Sequence, residues 1–138
     1  SFVAYDNDKI VGFRISFSPG NWQPDQWYSP HLWQTQLADT AYFKCNTVDE
    51  NYRGYGIGSK LLKLSIEVLK QQRAQAGVSH LWKQSPKNSA VKYFTKCGGT
   101  LIKEHPNRWL ELSYKGYECP ICTSNCRCEA AEMIIYFD

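Results

Sequence analysis

Asn51 to Gly58 reads Asn-Tyr-Arg-Gly-Tyr-Gly-Ile-Gly, with three glycines in five residues at Gly54, Gly56 and Gly58. Glycine admits left-handed backbone and lets a ligand come close to the main chain. The stretch follows an extended apolar run, Ala41 to Val48, and precedes a strongly helical one, Ser59 to Gln75. Amides at the start of a helix have no carbonyl partner and point outward, and the helix dipole adds a preference for negative charge there. The implied chemistry is that of a phosphate cradle.

The charge distribution agrees. Residues 1–50 carry three basic and six acidic side chains, whereas Arg53 to Lys103 holds ten Lys or Arg and a single acid, Glu67. Such a surplus concentrates an anionic partner near the loop. Nucleic acid is the generic reading and a phosphorylated cofactor the more economical one, because the charge surrounds a loop already suited to phosphate.

A second group of reactive side chains lies near the end of the chain. Cys119, Cys122, Cys126 and Cys128 give C-P-x-C-x3-C-x-C. The first half resembles a zinc knuckle, in which a CxxC turn aims two thiolates at one tetrahedral ion. All four fall within ten residues, tighter than a zinc ribbon, so structural zinc, free thiols in a hairpin and disulfides all stand as readings. A compartment that keeps thiols reduced disfavours the last. Cys45 and Cys97 read as buried core thiols.

The elements that must position these groups follow from pattern. A chain of 138 residues, 43% hydrophobic, suits one domain, taken as 1–138 with a Cys-rich hairpin insertion at 117–130. Phe2 to Tyr5 and Ile10 to Phe17 predict a hairpin. Ser18 to Gln36 is a long aromatic loop that either covers a sheet edge or walls an acceptor site. Ala41 to Val48 predicts the central strand, Ser59 to Gln75 a helix capped by Gly77, and Val78 to Lys83 a strand parallel to the first. Asn88 suits an N-cap and Gly98 a C′ position around a short helix. Thr100 to Glu104, Arg108 to Tyr114 and Met133 to Phe137 predict further strands. The fold class is α/β (α+β) with a mixed sheet. No apolar run spans a membrane and no leader precedes the first strand, so the expectation is a cytoplasmic protein without membrane contact.

Arg53, Gly56 and Gly58 form R-x-x-G-x-G between a strand and a Leu-rich helix. Asn88, Ala90, Tyr93, Phe94 and Gly98 form a second motif on the next helix. With both in this order, the chain resembles the GNAT superfamily, the acyl-CoA-dependent N-acetyltransferases, from about Ile10 to about Ile102. The resemblance implies a mostly antiparallel sheet with a central splayed parallel pair flanked by helices, here lacking the usual N-terminal strand and helices. It implies acetyl-CoA as co-substrate. Amides of Arg53, Gly54, Gly56, Gly58 and Ser59 would hold its pyrophosphate, and the backbone of Asn46 to Val48 would pair with the pantetheine arm. Asn88 would touch the same arm, with Lys92, Lys87 or Lys96 reaching the adenosine phosphate. The N–H near Val48 would face the developing oxyanion.

The chain departs from the family pattern at the acid and the base. Many members carry a Tyr four residues before the closing glycine, and here Phe94 stands there, with Tyr93 beside it. Tyr93 or water would then protonate the departing thiolate. His80, on the strand after the helix, suits proton removal near neutral pH, beside the alternative of an ordinary hydrogen-bonded strand histidine. The function implied is transfer of acetyl to a primary amine of a small molecule or peptide, by direct attack. A catalytically weak CoA-binding sensor or interaction module is the alternative. A zinc-bearing nucleic-acid binder is the weakest reading and no nucleic acid is expected, while a homodimer stays open.

Overall fold

The computed structural model describes residues 1–84, 88–120, 122 and 125–138. Its strands form one mixed, mostly antiparallel sheet in the order β1-β2-β3-β4-β6-β5. The strands are β1 (Phe2–Asp6), β2 (Lys9–Phe17), β3 (Thr40–Val48), β4 (Ala76–Trp82), β5 (Thr100–His105) and β6 (Ala130–Tyr136), and the helices α1 (Ile57–Gln71), α2 (Ser89–Lys96) and α3 (Leu110–Tyr114). Contacts cluster into two compact units, residues 1–23, 34–78 and 136–138 in the first, and 24–33 and 79–135 in the second.

In the first unit β1 and β2 pair antiparallel about Asn7, which takes the left-handed conformation that Asn tolerates. β3 then pairs antiparallel with β2 and parallel with β4, the latter in the register Thr40↔Ala76, Ala41↔Gly77, Tyr42↔Val78. The expected parallel pair is therefore present. α1 presents Leu61, Leu62, Ser65 and Leu69 inward, the spacing of a helical face, while Lys60, Lys63, Glu67 and Lys70 stay exposed. Ala41, Phe43 and Val78 are fully buried.

The helix ends earlier than its sequence suggests. Gln72 caps it and Arg73 takes the left-handed position at φ 70, so Gly77 is no cap but a strand residue. A Cβ on Gly77 would overlap the Phe43 ring, and that contact demands glycine. Gly77→Ala is expected to destabilise the chain by about 1–3 kcal/mol through overpacking, with Phe43→Leu restoring part of the loss in urea denaturation.

In the second unit β6 buries Ala130 through Ile135 without a break, the mark of a strand covered on both faces. It pairs antiparallel with β5, with Glu104↔Ala131 and His105↔Ala130 in register. α2 buries Phe94, and a side chain on Gly99 would collide with that ring. Gly98 follows the cap at φ 101, the expected C′ role. Arg108 to Tyr114 is not a strand: Leu110 to Tyr114 is the short helix α3, closed by Gly116 at φ 103. No helix among the described residues is long and apolar enough to cross a membrane.

Candidate functional site

β3 ends at Val48 and the chain turns at once into the glycine stretch. Asp49 makes that turn by accepting a hydrogen bond from the Asn51 amide (2.9 Å) at the head of a single 3-10 turn, Glu50–Tyr52. That bond, and secondarily the Lys9 ammonium 3.6 Å away, holds the Asp49 carboxyl below its ordinary range. Arg53 Nε donates back to the Val48 carbonyl (3.1 Å), and the Tyr52 hydroxyl donates to Asp6 (2.6 Å). The loop is thus tied to its own strand and to the β1–β2 hairpin.

Gly54 and Gly56 then sit at φ 88 and 78, and a Cβ built on either meets nothing within 4 Å. Their backbone needs glycine, and the space over it is open. α1 starts at Ile57, and the Lys60 amide makes its bond to the Gly56 carbonyl (3.0 Å). Gly58 and Ser59 lie in the first turn, half-buried, with no side-chain cap over the helix start. Just before the loop, Lys44, Cys45, Asn46 and Thr47 are exposed in succession, so both faces of this end of β3 are open. Cys45 is consequently no core thiol, contrary to expectation, and Cys97 is only half-buried. Asn46, Val48, Arg53, Gly54, Gly56, Gly58 and Ser59 all belong to this one junction.

Three expected residues lie on α2. Asn88 occupies the N-cap position, but in left-handed conformation (φ 55) and without the side-chain cap bond its type suggested. Lys92 and Lys96 are exposed, and Tyr93 is half-buried. Phe94, which stands where the resemblance implies a hydroxyl, is 1% exposed and belongs to the core. Lys87 lies outside the described residues.

His80 is the centre of a network in the second unit that the sequence did not reveal. Its Nε2 donates to the Trp27 carbonyl (2.5 Å), and Tyr28 stacks on its ring with centroids 3.9 Å apart. Burial, reinforced by the charges of Arg108 and His105, pulls its pKa down to about 4 although the Trp27 bond works the other way. At neutral pH the ring is therefore uncharged, with Nε2 protonated and Nδ1 left as acceptor. Beside it, His105 Nε2 bonds Glu132 Oε1 (2.7 Å), while Oε2 accepts from the Ser29 amide (2.9 Å) and the Trp33 indole (2.7 Å). Arg108 lies over Trp27, 5.4 Å from the ring centroid.

His80, His105 and Glu132 have donor atoms within 4.8 Å of one another, as a metal site requires. Both Glu132 oxygens and His80 Nε2 already make hydrogen bonds inside the protein, while His80 Nδ1 keeps its lone pair. Glu132 was findable, being the one charged residue in the apolar strand Ala130–Tyr136. Nothing in the sequence flags its pairing with His105.

Cys119, Cys122, Cys126 and Cys128 also converge, their sulfurs all within 4.8 Å of one another. They are unbridged thiols. Burial pushes Cys128 up to about 12 and Cys126 upward as well.

Comparison with known proteins gives a family match and a set of structures alike in fold. The model of the acetyltransferase (GNAT) family matches residues 1–99. No curated protein sequence matches the chain significantly. Among solved structures, a candidate streptothricin acetyltransferase of Bacillus anthracis bound to acetyl coenzyme A superposes with a TM-score of 0.70 at 19% identity, over 99% of this chain and 61% of that one. Chaetomium thermophilum Naa20 with a bisubstrate analogue gives 0.70 at 19% identity, over 98% of this chain and 64% of that one. A Bacillus subtilis acetyltransferase with CoA gives 0.69 at 16% identity, over 99% and 75%. At such identities the likeness is one of fold, and the chain spans less than two thirds of the length of the first two.

Proposed function

The chain belongs to the GNAT acetyltransferase family, and from that premise we propose that it transfers acetyl from acetyl-CoA to a primary amine of a small molecule or peptide. The observation that carries this reading is the open left-handed turn at Gly54 and Gly56 on the start of α1, which offers backbone amides to an anion with no side chain in the way. The pyrophosphate of the co-substrate is the anion that fits, and the exposed run Lys44–Thr47 leaves room for its pantetheine arm beside β3.

In this reading the loop amides of Arg53 to Ser59 fix the donor, and the Val48 N–H faces the oxygen that gains charge during attack. The amine nitrogen bonds the thioester carbonyl carbon, His80 Nδ1 accepts the proton the nitrogen loses, and the carbon–sulfur bond breaks. Tyr93 or water returns a proton to the sulfur. Asn88 and Lys92 serve the pantetheine and adenosine ends. The loop Ser18 to Gln36, whose Trp27 and Tyr28 hold the His80 ring, serves as the acceptor wall. The second reading, a CoA-binding sensor with weak turnover, draws on Phe94, which puts a buried ring where the family's acid stands.

Acetyl-CoA at 100 times its Kd is expected to stabilise the chain by about 2.7 kcal/mol, read as a rise in Tm. Gly56→Val, which crowds the cradle, should abolish the rise while the helical circular dichroism persists. A parent chain whose Tm ignores millimolar acetyl-CoA would overturn both readings. Turnover against a panel of amines divides enzyme from sensor.

A further inference from the structure

The four clustered cysteines take no part in acetyl transfer, and their arrangement has its own geometry. Cys119 and Cys128 sulfurs stand 3.5 Å apart, and Cys122 and Cys128 sulfurs 3.7 Å. A disulfide needs about 2.05 Å, so neither pair is a bond waiting to close without movement. Four thiolates around one Zn2+ at about 2.3 Å lie on a tetrahedron whose edges are about 3.8 Å. The two sulfur pairs come within a few tenths of an ångström of that edge. Cys119, Cys126 and Cys128 also line one cavity of about 160 Å³ with Trp82, Trp109 and Tyr117.

The surroundings argue for a bound ion as well. Cys119, Cys126 and Cys128 are at most 2% exposed, and only Trp82, Trp109 and Cys122 are packed as partly buried apolar neighbours against them. A thiol is a weak donor and a weak acceptor, so four of them facing one another contribute little hydrogen bonding. Between Tyr117 and Glu129 the described residues form neither helix nor extended strand, and the Cys126 amide donates to the Ser113 hydroxyl (3.1 Å). A segment with so little core of its own is the kind that proteins staple with a metal.

We propose that Cys119, Cys122, Cys126 and Cys128 bind one structural Zn2+ that fastens these four residues against Trp82 and Trp109. Four protein thiolates complete a tetrahedral sphere, with no position open to substrate, so the ion holds structure and performs no chemistry. All-sulfur tetrahedral donors select zinc over the hard cations, and iron is the competing occupant. Binding replaces four thiol protons by one divalent ion, and those protons pass to solvent. No electrons move.

Elemental analysis of the full chain, purified untagged with reductant and dialysed into metal-free buffer, tests this without reference to acetyl transfer. About one zinc per chain is expected, released by a mercurial reagent that titrates thiolates. Cys97→Ser should keep the zinc and the double variant Cys119→Ser/Cys128→Ser should lose it. Should that variant fail to fold, cobalt reconstitution of the parent decides instead, with thiolate-to-cobalt charge transfer and intense visible bands of a tetrahedral site. Zinc-free protein with reactive thiols, a mass deficit from disulfides, or iron in place of zinc would each overturn the assignment.

Discussion

Replacing Glu132 by alanine is expected to cost about 3–5 kcal/mol of stability, the range for removing one partner of a buried, hydrogen-bonded charge. The carboxylate is fully buried and is the shared acceptor of three groups, the His105 ring, the Ser29 amide and the Trp33 indole. Its loss strands all three away from water, and an unsatisfied buried donor costs about 1–3 kcal/mol by itself. Glu132→Gln keeps the volume and one carbonyl oxygen, which can still serve Ser29 and Trp33, so it should retain roughly half of what alanine loses. Because Trp33 is 7% exposed in this contact, urea titration followed by tryptophan fluorescence reads both the midpoint and the release of the Pro24–Trp33 loop. An alanine variant with the parent's midpoint would mean that the loop is held by packing alone.

That network marks the boundary of what the sequence discloses. The strand, glycine loop and helix junction was legible because its cause is local: the sign of φ at Gly54 and Gly56 and the apolar arc of α1 are written in consecutive residues. The four cysteines were legible for the same reason, since spacing alone limits how far apart their sulfurs fall. His105 and Glu132 meet only because β5 and β6 pair with His105 opposite Ala130, which makes Glu132 its diagonal neighbour on one face. Register across 27 residues has no local signature.

The misread elements have the same origin. Gly77 looked like a helix cap, yet the cap conformation fell to Arg73 and the glycine answers to the distant Phe43 ring. Leu110-Glu111-Leu112-Ser113-Tyr114 alternates apolar and polar residues as a strand would, but closes instead into one short helix. Its Ser113 hydroxyl is then spent on the Cys126 amide and the Leu110 carbonyl. Cys45 was taken for a core thiol on the strength of its apolar strand, whereas β3 leaves the sheet interior after Phe43 and exposes the next four residues. In the proposed reading that departure is what makes room for the co-substrate, so the failed expectation and the candidate site share one cause.

His80→Gln is expected to lower kcat by about 10²–10⁴, the contribution typical of a positioned general base, while leaving the thermal response to acetyl-CoA intact. The pH dependence gives the sharper test. An ordinary histidine would lose its base form as pH falls through 6.5, but burial holds His80 neutral down to about 4. The acidic limb of kcat assigned to this group should therefore lie near pH 4, and it should vanish in the variant. A limb at 6.5 in the parent, or a variant as active as the parent, would remove His80 from the mechanism. Stability must follow the same linkage. Since the folded pKa lies below the unfolded one, the unfolded chain takes up a proton first, and stability present above pH 6.5 is lost progressively as pH falls toward 4. The loss from this ring amounts to at most about 3 kcal/mol. Urea midpoints of parent and His80→Gln should converge between pH 7 and pH 4.5, because glutamine has no proton to gain; parallel midpoints across that range would place the ring in a solvated setting and return it to the role of an ordinary strand histidine.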